Sequence, residues 1–242
     1  MLLRNLSSIL LQIQKLEMVK PRQKREMSMQ NVKCLLIHCL FACIYGNGLA
    51  QPTTKTISLF DGKTLSGWRT IEPAELSLWV AADSSLKSGD GINKIETNRY
   101  LFTTKEYGDF EFRCLFRLSG DPKTGLINSG IQYRSVIEGG KMVGYQADIG
   151  TGYWGDIYDE HRRGKLVGGD LKTLSHLLNE TGWNSYIIRC KGNRHELYIN
   201  GIKTCEYIEK DPKIPQKGVF AVQIHSGGVA HVEFRDLVLL KA

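Results

Sequence analysis

Phe110-Glu-Phe-Arg-Cys-Leu-Phe-Arg-Leu118 is the stretch that decides the fold. In an extended chain Phe110, Phe112, Cys114, Phe116 and Leu118 point one way, and Glu111, Arg113, Leu115 and Arg117 point the other. A period of two marks a strand with one face in a core; an amphipathic helix would repeat at 3.6. The same alternation continues outward from this segment, from residue 56 to the C-terminus, broken by Gly, Asn and Asp turns. Downstream, residues 186–191, 194–200 and 202–207 read as a meander that turns at Gly192-Asn193 and at Asn200-Gly201. Asn-Gly is a type I′ hairpin signal, because both positions tolerate positive φ. Residues 219–225 and 231–240 read as a final strand pair joined through Gly227-Gly228, and residues 171–178 as one short helix. Short strands at regular spacing predict an all-β fold, a sandwich of two antiparallel sheets spanning residues 51–242 as a single domain.

The formal charge of +7 belongs mostly to the first fifty residues, which hold seven basic and two acidic side chains. The remaining residues carry 25 basic and 23 acidic groups. A nucleic-acid-binding domain keeps a basic surface on its folded part, so nucleic acid is not an expected partner. Residues 29–50 read as a secretory signal. A short basic region ends at Lys33, an apolar run covers residues 34–45, and Gly48-Leu49-Ala50 suits cleavage after Ala50. The run is too short for a stable membrane span. Residues 1–28 are polar and basic, which points to a true start at Met27 or Met29. The competing reading is a cytoplasmic extension before a membrane anchor. Leu40-Phe-Ala-Cys43 faintly resembles a lipoprotein cleavage box, but its Phe is atypical. The expected location is therefore exported, periplasmic or extracellular, with lipid anchoring second.

Cys114, Cys190 and Cys205 remain beyond the leader, an odd number that completes no disulfide framework. Cys190 and Cys205 fall on the first and third strands of the meander, ~9.6 Å apart at two strand spacings. A disulfide needs Cα atoms within about 7 Å. Three buried thiols are expected. No CxxC or paired-His spacing announces zinc.

The faces of the strands that do not enter the core carry the functional signal. Gln132 and Arg134 alternate with Ile131 and Tyr133; Gln146 and Asp148 with Tyr145, Ala147 and Ile149; Gln223 and His225 with Phe220, Val222 and Ile224. With Glu111 and Arg113, four strands would present forked, planar polar groups to one surface if they are neighbours. Such groups suit bidentate hydrogen bonds to vicinal hydroxyls. Solvated strand faces are also polar, so one strand alone decides nothing. Tyr133 and Tyr145 fit a core better than a binding site. The stretch Tyr153-Trp-Gly-Asp-Ile-Tyr-Asp-Glu-His-Arg-Arg163 follows as a charged, aromatic loop. It adds Trp154 as a stacking platform and Tyr158 and Glu160 as reactive groups; a solvated loop with internal ion pairs is the plainer alternative.

Several signals fail on inspection. Gly150-Thr-Gly-Tyr-Trp-Gly155 matches GxGxxG but opens no helix. No P-loop, HExxH or GxSxG is present. Sandwich glycosidases that retain configuration hold two carboxylates at ~5–5.5 Å, and no Glu-x-Asp-x-x-Glu strand supplies them here.

Taken together, the segments 59–68, 107–112, 128–134 (Asn-Ser-Gly-Ile-Gln-Tyr-Arg), 144–148 (Gly-Tyr-Gln-Ala-Asp), 183–186, Asn200-Gly201 and 232–237 resemble the 3-keto-disaccharide hydrolase family. They cover nearly all of residues 56–240. The resemblance implies a concanavalin A-like jelly roll and an exported protein that acts on saccharides. Many members of that family carry Glu where this chain has Gly144. A 3-keto sugar has an acidified C2 proton, so a base can start elimination of the O1 substituent, and water can add back. In that scheme His225 or Glu160 is the base. Arg134 stabilises the enolate oxygen and Tyr158 protonates the leaving oxygen. Glu111, Gln132, Gln146, Asp148, Trp154 and Gln223 hold the sugar. No cofactor is assured, and a divalent metal at Asp148, Glu160 or His225 would suit an enolate. Two other readings stand beside it: a non-catalytic saccharide-binding module, and an exported structural protein with a merely solvated polar face.

Overall fold

A computed structural model describes residues 55–179 and 182–241. The leader and its proposed start and cleavage points lie outside the described residues. The strands are β1 (Thr56–Ser58), β2 (Trp68–Arg69), β3 (Trp79–Ala82), β4 (Ser85–Ser88), β5 (Arg99–Tyr107), β6 (Phe110–Asp121), β7 (Asn128–Glu138) and β8 (Lys141–Gly150). They continue as β9 (Ile157–Glu160), β10 (Gly164–Val167), β11 (Asn184–Lys191), β12 (Arg194–Ile199), β13 (Ile202–Ile208), β14 (Gly218–Ile224) and β15 (Val229–Lys241). One four-residue helix, α1 (Leu171–Leu174), matches the start of the expected helical stretch. Among the described residues no helix is long and apolar enough to cross a membrane.

The strands form two antiparallel sheets, the jelly-roll sandwich that the alternation predicts. One has the order β13-β12-β11-β6-β15-β4-β3, with β1 also paired to β15; the other runs β10-β9-β8-β7-β14-β5-β2. The core is the apolar stripe of each strand. Phe110, Phe112, Cys114, Phe116 and Leu118 of β6 meet Ile131, Tyr133, Tyr145, Ala147, Phe220 and Val222 of the second sheet. Phe112 and Phe220 stack at 4.9 Å, as do Tyr133 and Tyr145 at 5.5 Å. The meander appears as read, and Asn200 and Gly201 turn it with φ of 49° and 81°. All three cysteines are buried and free.

Two expectations about pairing fail. β14 and β15 are consecutive but lie in different sheets. Both edges of β14 are taken by β5 and β7, which leaves none for β15. The segment after Asp156 is not all loop: β9 pairs with β8 and β10, so the second sheet extends by two strands beneath the expected loop.

Candidate functional site

The outer face of the second sheet collects the polar side chains. Antiparallel Cα partners share a face, and here Gln132 pairs with Gln146, Gln146 with Tyr158, and Gly144 with Glu160. Gln223 pairs with both Gly130 and Tyr100. Gly130 leaves room for this array: a Cβ there would lie 2.5 Å from Cδ of Gln146, whose side chain crosses it. This gives the Asn-Ser-Gly segment a physical role. Asn128 reaches the site, Ser129 ties β7 to the Gln223 carbonyl at 2.5 Å, and Gly130 makes space.

Two hydrogen-bond chains run across this face. In the first, Ser135 Oγ donates to Gln132 Oε1 (2.9 Å), Gln132 Nε2 to Gln146 Oε1 (2.6 Å), and Gln146 Nε2 to Asp148 Oδ1 (2.5 Å). Asp148 is only 3% exposed. Burial, followed by the nearby Asp156 and Glu160 charges, pushes its carboxyl up to about 8, against the opposing effect of the Gln146 bond. Asp148 therefore keeps a proton at neutral pH. With Oδ1 accepting from Gln146, Oδ2 is the oxygen that carries it. In the second chain Gln223 Nε2 donates to Tyr100 OH (3.1 Å) and Tyr100 OH donates to Glu160 Oε1 (2.8 Å). Burial, then the Glu160 charge, holds the Tyr100 proton well above its ordinary value. Beyond the end of β14, Nδ1 of His225 lies 2.6 Å from the Ser226 carbonyl, which can only accept. In the neutral ring that bond puts the proton on Nδ1 and makes Nε2 the acceptor.

Both chains end at one hollow of about 150 Å³, lined by Leu126, Asn128, Gln146, Asp148, Tyr153, Tyr158, Glu160 and His225. Drug-sized ligands occupy ~300–1,000 Å³, so this space suits a single ring. Five residues singled out in the sequence, Gln146, Asp148, Tyr158, Glu160 and His225, meet here. Gln132 and Gln223 lie under the same face as buried supports.

Three others do not join them. Glu111 sits on β6 in the opposite sheet, bound to Arg113 and Arg189. Trp154 turns away from the hollow and packs on Phe116 at 6.2 Å; its neighbour Tyr153 faces the site. Arg134 is 2% exposed and points between the sheets. It donates to the Gly108 and Gly192 carbonyls (3.1 and 2.7 Å), to Gln216 Oε1 and to Asp109 Oδ1 (2.9 Å). The register of β7 slips between Tyr133 and Val136, and Arg134 takes a φ of 49°. That bulge breaks the alternation and sends the side chain inward. Asp159, in the expected loop, is likewise buried and bound by Arg162 and Arg163.

Gly144 is accounted for by the same bulge. Its φ is 146°, and a Cβ there would lie 2.7 Å from the Ser135 Cα. This backbone has no room for a side chain at position 144. Among the described residues no group of three or more His, Cys, Asp or Glu side chains is close enough to hold a metal ion. The divalent cation considered at Asp148, Glu160 or His225 therefore finds no ready ligand set. Reading the sequence alone did not single out Asn128 or Tyr100 as site residues. Tyr100 lies in an ordinary apolar-looking strand, and only pairing with β14 brings it to this face.

No curated protein matches the chain. Among solved structures it is similar to a Parabacteroides distasonis ATCC 8503 protein called a "putative glycosyl hydrolase". The TM-score is 0.56 and the identity 17%, over 77% of this chain and 94% of that one. It is also similar to the carbohydrate binding module CBM66 from Bacillus subtilis, with TM-score 0.53 and 11% identity over 71% and 93% of the two chains. A third is the VIP36 exoplasmic/lumenal domain in its Ca2+/Man3GlcNAc-bound form, with TM-score 0.53 and 9% identity over 77% and 88%. Identities this low show a shared sandwich and leave function to the site. The family described as the 3-keto-alpha-glucoside-1,2-lyase-like domain matches residues 55–240, nearly the whole described chain, and the protein belongs to that family.

Proposed function

We propose that the protein cleaves 3-keto-glycosides by elimination across C1–C2 followed by hydration. The observation that carries this reading is the meeting of a bare imidazole nitrogen, a protonated carboxyl, a carboxylate and a phenol in one ring-sized hollow. His225 Nε2 takes the C2 proton. The electron pair moves onto the C3 oxygen as an enolate, and the Asp148 proton, aimed from Oδ2, stabilises it, the role that Arg134 cannot fill. A neutral carboxyl acting as a hydrogen-bond donor to an enolate is established chemistry. Collapse of the enolate breaks the C1–O bond, and Tyr158 gives its proton to the departing oxygen. Water then adds at C1, oriented by Glu160, which Tyr100 holds in place. The water proton returns to Tyr158, and the imidazolium of His225 returns its proton to C2. Asn128 and Gln146 supply hydroxyl contacts.

Incubation with a 3-keto-disaccharide and with the unoxidised disaccharide tests the reading. Free sugar released from the keto substrate alone supports it. His225→Ala and Glu160→Ala should each lower turnover at least ~100-fold. Binding of either sugar without turnover would leave a saccharide-binding module instead. We also propose export through residues 29–50, with residues 51–242 as the mature domain. N-terminal sequencing of the exported protein checks it, with Gln51 as the expected first residue.

A further inference from the structure

The Tyr100–Glu160 hydrogen bond is a shared wall. Glu160 lines the hollow described above. Tyr100, 2.8 Å away, lines a second hollow of about 190 Å³ on the same face. Its other walls include Ile71, Glu75, Asn98, Lys141, Met142 and His161. Ile71 and Met142 belong to a separate apolar cluster on the outer face with Phe102, Val219 and Ala221, so the wall beneath is apolar. The rim is polar. Nδ1 of His161 lies 2.8 Å from the Met142 carbonyl, so Nδ1 carries the proton donated to it. Asn98 Oδ1 takes the Ser226 amide at 2.9 Å, and its Nδ2 lies 3.4 Å from Tyr100 OH. Asn98 thus ties the second hollow to the segment that carries His225.

We propose that this second hollow is the subsite for the leaving group, and that it takes a second pyranose-sized, polyhydroxylated unit. An apolar wall under a rim of carboxylate, amide, ammonium and imidazole matches the C–H face and hydroxyl edge of a sugar. Each hollow holds one ring, and the linkage between the rings falls at the Tyr100–Glu160 wall, on the strand that also carries Tyr158, the group assigned to the leaving oxygen. The inference rests on the function proposed above and adds the residues that select the leaving group, with Glu75 and Lys141 foremost.

The test is a comparison of kcat/KM for a 3-keto-disaccharide and for the methyl 3-keto-glycoside, in the wild type and in the Glu75→Ala/Lys141→Ala double variant. Both side chains stand outside the Tyr100–Glu160 bond and away from the core. The preference for the disaccharide should fall by about tenfold or more, the loss of one or two hydrogen bonds to charged partners. An unchanged preference overturns the subsite. Calorimetric titration with unoxidised disaccharide and monosaccharide separates this failure from failure of the catalytic reading, because it requires no turnover. Tighter binding of the disaccharide by the wild type, lost in the double variant, supports the subsite even in an inactive protein. Equal binding of the two sugars, or no binding of either, overturns it.

Discussion

Replacing Asp148 by Asn removes one titrating group and keeps the shape of the side chain. The unfolded chain loses the Asp148 proton near the ordinary value of 3.8, whereas the folded protein holds it up to about 8. Between those values the folded state binds more protons than the unfolded state, so wild-type stability falls as pH rises. The part of stability due to Asp148 is fully present below 3.8 and is lost as pH climbs through about 8. One group contributes a slope of about 1.4 kcal/mol per pH unit inside that window. Asp148→Asn has no such slope, so its stability relative to wild type should rise by about 3 kcal/mol from pH 5 to pH 7. All other groups titrate in both proteins and cancel in the difference. Urea unfolding of both at pH 5, 6 and 7, at fixed ionic strength, reads this as a growing gap in midpoint at constant slope. The amide also keeps a donor toward the enolate oxygen. Wild-type turnover should therefore decline above about pH 8, and the variant should lack that decline. A stability difference that stays constant with pH would refute the argument, because it would mean that Asp148 ionises in the folded protein as it does in water.

Three further outcomes follow from the geometry. Arg134→Met removes the donor to Gln216 Oε1 and to the Gly108 and Gly192 carbonyls and leaves Asp109 Oδ1 with the Gly192 amide alone. At about 1–3 kcal/mol for each buried acceptor left unpaired, it should cost about 3–5 kcal/mol in urea unfolding; turnover per folded molecule should change little, because the guanidinium does not reach the hollow. Gly144→Ala forces a Cβ against Ser135 at a φ that side chains avoid, and should lower stability by about 2–3 kcal/mol, measured as a drop in melting temperature. Glu111→Gln disturbs only half-exposed ion pairs on the opposite sheet; it should shift stability by less than about 1 kcal/mol and leave kcat/KM unchanged in a standard turnover assay.

The site was half legible. Gln146 and Asp148 stand in strict alternation with core residues on β8, a strand without an internal bulge, so their facing could be read directly. Tyr158 and Glu160 lie two apart in a stretch read as a loop, yet they share a face because that stretch is β9. Arg134 obeyed the same alternation on paper and failed in space, since one extra residue in β7 reverses everything after it. Glu111 failed for a different reason. Its strand alternates correctly, but β6 belongs to the other sheet.

Residue order by itself determined the all-β class, the core stripe of each strand, the Asn200-Gly201 turn and the three unpaired thiols. Each depends on neighbours within a few positions or on a simple count, and the period of two acts over that range. Which strands lie side by side, where β7 bulges, and which polar faces therefore share one hollow were decided by the tertiary structure alone. Strand pairing joins segments as distant as Tyr100 and Gln223, and it is settled by competition among all strands for free edges and a common core, which no local pattern records.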